Sequence, residues 1–351
     1  MLNYSLIFLI SLIFSFLITP VIRNIAFKIG AIDSPDYGRR IHNRQIPNIG
    51  GIAIYLSFVI TVILFSSFDK TVIGVLTGGT IIIILGFLDD LFELNPGIKL
   101  LGQILAAAVL ILFGININFI TNPISGGLIY PGFWSIPLTI FWVVAITNTI
   151  NLIDGLDGLA AGVSVIAVFT LFLVALQEGQ ALPAILAIAL AGSSLGFLRH
   201  NFYPAKIFMG DTGAMFSGFI LAAISIMGAL KSAAVVTVFV PLLALGIPIF
   251  DTLFAIIRRL YNNEPISKAD KGHIHHRLLA MGWTQSQAVL IVYGISGILG
   301  LIAIIINGFE FSYPLILPAV VIISGILGAW KIGILDFELT SDSSKLNKTN
   351  I

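Results

Sequence analysis

The chain has 351 residues; 58% are hydrophobic, 10% are charged, the formal net charge is +1 and there is no cysteine. Soluble domains carry about a quarter charged residues, so the composition excludes an ordinary soluble protein, and the lack of cysteine excludes disulfides and thiol catalysis. A net charge this small says nothing about nucleic acid, and none is expected as a partner.

A helix needs about 20 apolar residues to cross the hydrocarbon core. Such runs lie near 4–22, 49–66, 70–88, 98–114, 135–151, 159–177, 181–198, 213–229, 234–257, 286–307 and 313–331. They predict an all-α fold, a polytopic integral membrane bundle of about 11 transmembrane helices. The first run has no basic segment before it, and Arg23 and Lys28 follow it, so it reads as a retained helix with the N-terminus outside rather than a signal peptide. Alternate loops divide the basic residues unequally: 16 of 18 fall on one side, with only Lys70 and Lys231 on the other. The positive-inside rule makes the richer side cytoplasmic and places the C-terminus there. All five histidines share that side. Outer loops are short except 115–134, a Gly/Pro turn region with interfacial aromatic residues; the inner loops 23–48, 89–98, 199–212 and 258–285 are long. Function is therefore expected on the cytoplasmic face of a single transmembrane catalytic domain (1–335) in the cell membrane, followed by a polar tail (336–351).

Polar clusters sit at the cytoplasmic ends of these runs. Asp89 and Asp90 close the third run and Lys99 opens the fourth. Adjacent acids at a helix C-terminus are disfavoured by the macrodipole, which speaks against a merely solvated helix end; Lys99 is placed to contact phosphate. Asn151, Asp154 and Asp157 follow at three-residue spacing, each Asp succeeded by Gly. Such oxygen ligands suit a hard cation such as Mg²⁺; a plain Asp-Gly turn is the bland alternative. Asp211, beside Gly210 at the start of the eighth run, suits a helix N-cap and a phosphate–metal site equally well. His273, His275, His276 and Arg277 fall within five residues. They suit an anionic substrate, with zinc as the rival and a solvated surface run as the bland reading. Arg44, before the turn into the second run, is another candidate for an anion, whereas Arg39 and Arg40 read as topology signals. Asp251, within the ninth run, is either functional or an ion-pair partner of Arg258 and Arg259. Five carboxylates gathered from Asp89, Asp90, Asp154, Asp157 and Asp211 would resist joint ionisation. A divalent cation, with Lys99, Arg44 and Arg277, would relieve this, an assembly suited to phosphoryl transfer.

LDD (88–90), NLIDGLDG (151–158), FMGDTG (208–213) and HIHHR (273–277), in this order, resemble the polyprenyl-phosphate N-acetylhexosamine-1-phosphate transferase family over about residues 20–330. The resemblance implies attack of a polyprenyl (undecaprenyl) phosphate on the β-phosphorus of a UDP-amino sugar, with UMP as the second product. It implies Mg²⁺, replaceable by Mn²⁺, and a homodimer in the lipid bilayer. By motif, Asp211 is the first metal ligand, helped by Asn151 or Asp154, and Asp154 and Asp157 count among the catalytic acids. Asp89 or Asp90 acts as base or orients the lipid phosphate, Phe208 stacks on uracil, and the His273–Arg277 segment reads the sugar nucleotide.

HIHHR followed by LLAMGW resembles the N-acetylglucosamine transferases of teichoic acid, O-antigen and related glycan pathways. It lacks the triple-His run followed by an acid that marks the resemblance to muramoyl-pentapeptide enzymes. UDP-GlcNAc is thus the expected donor, with the phospho-N-acetylmuramoyl-pentapeptide reaction as the alternative. The alternative from another class is a membrane transporter, which would place ionisable groups near the midplane, often in repeated halves. Here Asp251 alone interrupts a run and no repeat is visible.

Overall fold

A computed structural model describes residues 3–33, 45–121, 128–229, 239–263, 265 and 272–308. Arg44, the predicted span 313–331 and the polar tail lie outside the described residues.

The first helix, α1 (Tyr4–Ile29), starts at an Asn3 cap whose side chain accepts the Leu6 amide. Pro20 lies inside it and has no N–H to give the Phe16 carbonyl. His200 supplies the missing donor, its Nε2 lying 3.1 Å from that oxygen. His200 belongs to α7 (Ala181–Asn201), the helix along which α1 packs. The break in one helix is therefore mended by its neighbour.

Next come α2 (Gly51–Phe65), α3 (Lys70–Phe92) and α4 (Pro96–Leu112). Asp69 caps α3 through the Val72 amide at 2.9 Å. Asn95 caps α4 through the Gly97 amide at 2.8 Å, with Pro96 in the first turn. α5 (Ser135–Ile153), α6 (Leu159–Gln177), α7 and α8 (Gly210–Ala229) follow, then α9 (Phe239–Ala244), α10 (Gly246–Tyr261), α11 (Ile274–Ala280) and α12 (Gln285–Gly308). Among the described residues seven helices, α1, α3, α5 to α8 and α12, are long and apolar enough to cross a membrane. At 15 and 17 residues, α2 and α4 are shorter apolar helices in places where full spans were expected. The fold is that of a polytopic helical membrane protein, with two small strand ladders: β1 (Ile32–Asp33) with β2 (Ile46–Pro47), and β3 (Ile120–Thr121) with β4 (Leu128–Ile129). The second ladder lies in the expected turn region, beside exposed Tyr130, Phe133 and Trp134.

The run 234–257 is not one helix. It breaks at Leu245 between α9 and α10. Pro248 has no N–H for the Ala244 carbonyl and its ring crowds that oxygen, so the helix restarts at Gly246. α10 is two-faced: Asp251, Arg258 and Arg259 are buried, while Leu253, Ile257, Leu260 and Tyr261 are exposed.

At the centre stands α8, packed by α2, α3, α5, α6 and α7 and 89% buried over its apolar window. Small residues admit its neighbours. At Gly51, the first residue of α2, an added methyl would collide with the Gly213 backbone. Overpacking of this kind costs about 1–3 kcal/mol. Gly51→Val is therefore expected to lower the melting temperature in detergent. Gly294→Ala in α12, where an added Cβ meets nothing within 4 Å, is expected to leave it unchanged or raise it slightly.

Candidate active site

The chain reverses direction before α8 by pairing with the start of α2. Phe208 donates its amide to Pro47 O at 2.7 Å, and the Gly50 and Gly51 amides donate to Phe208 O and Met209 O at 3.0 Å each. This brings Gly210, with φ of 68°, into the left-handed region, and turns the first amides of α8 toward the end of α3. Asp90 meets them there. Its carboxylate accepts the Asp211 amide at 2.9 Å, the Thr212 amide at 3.0 Å and the Thr212 hydroxyl. Asn48 donates to Asp90 O at 3.1 Å, while its own Oδ1 is buried without a partner among the described residues.

With its amide held, Asp211 extends its side chain toward α4. Lys99 Nζ lies 2.8 Å from Asp211 Oδ2 and forms a second ion pair with Asp89. Asp89 is 5% exposed, and its Oδ1 accepts the Leu94 amide at 2.8 Å. Asn151, from the last turn of α5, also hydrogen-bonds the Asp211 side chain. Asp154 ends α5 close to Asp211 and Asp157. Burial, and then the charges of Asp211 and Asp157, push the Asp154 carboxyl up to about 8. Asp157 accepts the Ala205 amide at 2.9 Å and so ties the α5–α6 turn to the α7–α8 loop.

Most of these groups share a cavity of about 1210 Å³, with Asn151 bonded to Asp211 but not part of its lining. Asp89, Asp90, Lys99, Asp154, Asp157, Phe208, Asp211 and His276 line it. His273, His275 and Arg277 do not; they build the wall behind. The Asp251 carboxylate accepts the Ile274 amide at 2.8 Å and holds His273 Nδ1 at 2.8 Å. Asp251, left by the sequence as either functional or an ion-pair partner, thus anchors His273 and the start of α11. The His273 and His275 rings lie parallel with centroids 5.7 Å apart, and His275 sits 4.3 Å from His276. His275 is buried against Gly155, where any side chain would collide with its ring. Burial, and then His276, pull the His275 imidazole down to about 3. Arg277 Nε donates to Gly272 O at 3.3 Å.

Composition and spacing gave no sign of several residues at this site. Gln103 and Asn148 exchange amide hydrogen bonds of 2.6 and 3.2 Å between α4 and α5. They lie one turn from Lys99 and Asn151 and fix the separation of the helices that carry them. Asn48 and Thr212 were also not singled out, although Thr212 lies inside FMGDTG; the signal available was only that each is polar near glycine at a helix start.

Among the described residues no three His, Asp or Glu side chains form a ready-made cation cage. The donor set still fits Mg²⁺. It consists of oxygens from Asp211, Asn151 and Asp154, and Mg²⁺ is usually bound by one or two carboxylates together with substrate phosphates.

The glycosyl transferase family 4 model matches residues 72–229, the stretch from α3 through α8. A probable undecaprenyl-phosphate N-acetylglucosaminyl 1-phosphate transferase of Bacillus subtilis (strain 168) is 42% identical over 317 residues, covering 90% of this chain and 88% of that protein. The chain belongs to this family of polyprenyl-phosphate N-acetylhexosamine-1-phosphate transferases. A decaprenyl-phosphate N-acetylglucosaminephosphotransferase of Mycobacterium tuberculosis (strain ATCC 25618 / H37Rv) is 35% identical over 319 residues, 82% of this chain and 79% of that one. A phospho-N-acetylmuramoyl-pentapeptide-transferase of Bacillus cytotoxicus is 29% identical over 320 residues, 86% and 95% of the two chains. The resemblance read from four motifs thus holds, and the transporter alternative falls. The similarity to the N-acetylglucosamine enzymes named here exceeds that to the muramoyl-pentapeptide enzyme.

Two predictions follow from the geometry. Asp90→Ala strands the α8 amides, a loss of about 1–3 kcal/mol, and is expected to lower the melting temperature well below that of Asp90→Asn, which keeps an acceptor. The second concerns His275. An unfolded histidine takes a proton near pH ~6.5, whereas the folded ring waits until about 3. Between those values the unfolded state binds more protons, so stability falls as pH drops. Wild type is therefore expected to lose stability faster than His275→Gln between about pH 6.5 and 5, by up to about 1.4 kcal/mol per pH unit; paired melting curves check this.

Proposed function

We propose that the chain transfers N-acetylglucosamine 1-phosphate from UDP-GlcNAc to undecaprenyl phosphate at the cytoplasmic face of the cell membrane, giving undecaprenyl-diphosphate-GlcNAc and UMP. The observation that carries this reading is the meeting of Lys99, Asp89 and Asp211 beside Asp154 in one cavity. Its volume of about 1210 Å³ lies above the usual small-molecule range of about 300–1,000 Å³, leaving room for a nucleotide sugar and a lipid headgroup together.

An oxygen of the lipid phosphate attacks the β-phosphorus, the bond from that phosphorus to the bridging oxygen breaks, and UMP leaves with the oxygen. A phosphate monoester loses its second proton near pH ~6, so the nucleophile is already dianionic at neutral pH. A strong base is not required. Asp89, held by Lys99 and the Leu94 amide, positions rather than deprotonates. Asp90, with both oxygens on the α8 amides, sets the direction of Asp211. Asp211, Asn151 and Asp154 would hold Mg²⁺, which supplies neutralisation of the phosphate charge when bound. Lys99 stands close enough to add a second positive charge. Phe208, half-buried in the cavity wall, is the candidate stacking partner of uracil. His276 is the histidine of its segment that faces the cavity.

Purified protein given undecaprenyl phosphate, Mg²⁺ and UDP-GlcNAc is expected to release UMP. Chelation should stop release, and Asp211→Ala should lower kcat by about 10³-fold with its fold intact. Release only with UDP-MurNAc-pentapeptide would overturn the sugar, and release with neither would overturn the reaction. Asp89→Asn is expected to stay slow at every pH; full rescue at high pH would instead make Asp89 a base.

A further inference from the structure

Three cations gather at the active-site end of α1 and α7, outside the cavity. Arg23 follows Tyr4 by 19 residues in α1, about 29 Å of helix. Arg199 follows Ala181 by 18 residues in α7, about 27 Å. Each therefore leaves a hydrocarbon core about 30 Å thick at headgroup depth. Lys206 joins them from the α7–α8 loop, where Arg23 Nε donates to its carbonyl at 3.1 Å. All three charges lie near enough to act on His200.

Their like charges are uncompensated. Among the described residues none of Arg23, Arg199 and Lys206 makes an ion pair, and none lines the cavity. His200 brings no counter-charge, since its Nε2 is committed to the Phe16 carbonyl. Collected cations repel one another unless an anion sits among them.

The adjoining surface is apolar. Phe16, Pro20, Arg23 and Phe27 recur at three- and four-residue spacing and so share one face of α1. Phe16 and Phe27 are exposed, and the Arg23 guanidinium lies 5.4 Å from the centre of the Phe27 ring. A phosphate held by the cations would continue into an acyl chain lying along Phe16 toward the bilayer centre.

We propose that Arg23, Arg199 and Lys206 form a headgroup site for an anionic phospholipid, distinct from the site that takes the lipid substrate. Cations beside a membrane-embedded helix attract anionic lipid, and here three of them converge from two helices and a loop with no anion paired to them among the described residues.

The full chain in detergent would be offered equimolar dioleoyl phosphatidylglycerol and dioleoyl phosphatidylcholine, and retained lipid counted by native mass spectrometry. Wild type is expected to retain phosphatidylglycerol about tenfold over phosphatidylcholine, less at higher salt. The double variant Arg199→Gln/Lys206→Gln changes two exposed side chains and should lose that preference while keeping its melting temperature. Arg23→Lys, which keeps the charge, should retain most of it. Undecaprenyl phosphate retention should be unchanged in all three. An equal preference in wild type and double variant, no preference in wild type, or loss of undecaprenyl phosphate in place of phosphatidylglycerol would each overturn the proposal.

Discussion

A helix that begins inside a protein leaves its first amides without partners. In this chain the helix is α8, the most enclosed of the bundle, and the partner is the Asp90 carboxylate reaching across from α3. The contact decides three things together. It satisfies donors that burial would otherwise penalise, it locks the end of α3 against the start of α8, and it aims the next side chain, Asp211, into the cavity. Asp89 points the other way along the same turn, so the single Asp-Asp step divides into a structural half and a half facing Lys99. The macrodipole objection to adjacent acids at a helix C-terminus is met by the partners each one finds: α8 amides for Asp90, and an ammonium and an amide for Asp89.

What remains is an electrostatic imbalance confined to one wall. Lys99 balances Asp89 and Asp211. It cannot also balance Asp154, which is buried beside the acids Asp211 and Asp157 and holds its proton up to about pH 8. A cation placed among Asp154, Asn151 and Asp211 would reverse that, because positive charge favours the ionised carboxyl. The wall is therefore short of positive charge, which a divalent cation would supply, and bound phosphates would in turn complete that cation's coordination.

Much of the helical architecture, and several polar residues that meet at one cavity, were legible in the sequence, whereas information that sits in pairs was not. The acidic motifs were legible because carboxylates are rare in so apolar a chain. Family membership was legible because four motifs keep their order. The Gln103–Asn148 exchange was not, since each residue alone is an ordinary polar interruption of an apolar run. Nor was the loan from His200 to α1, which depends on Pro20 freeing one carbonyl in a helix 180 residues away. The break between α9 and α10 could have been read from Pro248, but hydropathy averaged over a window passes across it. The run 49–66 overstates α2 because apolar residues continue into the flanking turns, whereas α4 is as long as the run expected there and starts two residues earlier, at the Asn95 cap.

The histidine segment shows how a motif can be functional in sequence yet mostly structural in space. Of its three histidines only His276 faces the cavity. His273 is fastened to Asp251, which also accepts the first amide of α11, so one carboxylate from α10 fixes both the start and the rotation of that short helix. His275 then fits against Gly155, inside the NLIDGLDG motif. The two motifs are 120 residues apart in the chain, yet their separation in space is set by that one contact. Gly155 must lack a side chain for His275 to enter, and His275 must enter for the neighbouring His276 to reach the cavity that Asp154 also lines. The spacing of HIHHR is thus the spacing of a wedge and the group it presents, and the Asp-Gly step that serves as a turn in α5–α6 is at the same time the slot that receives it.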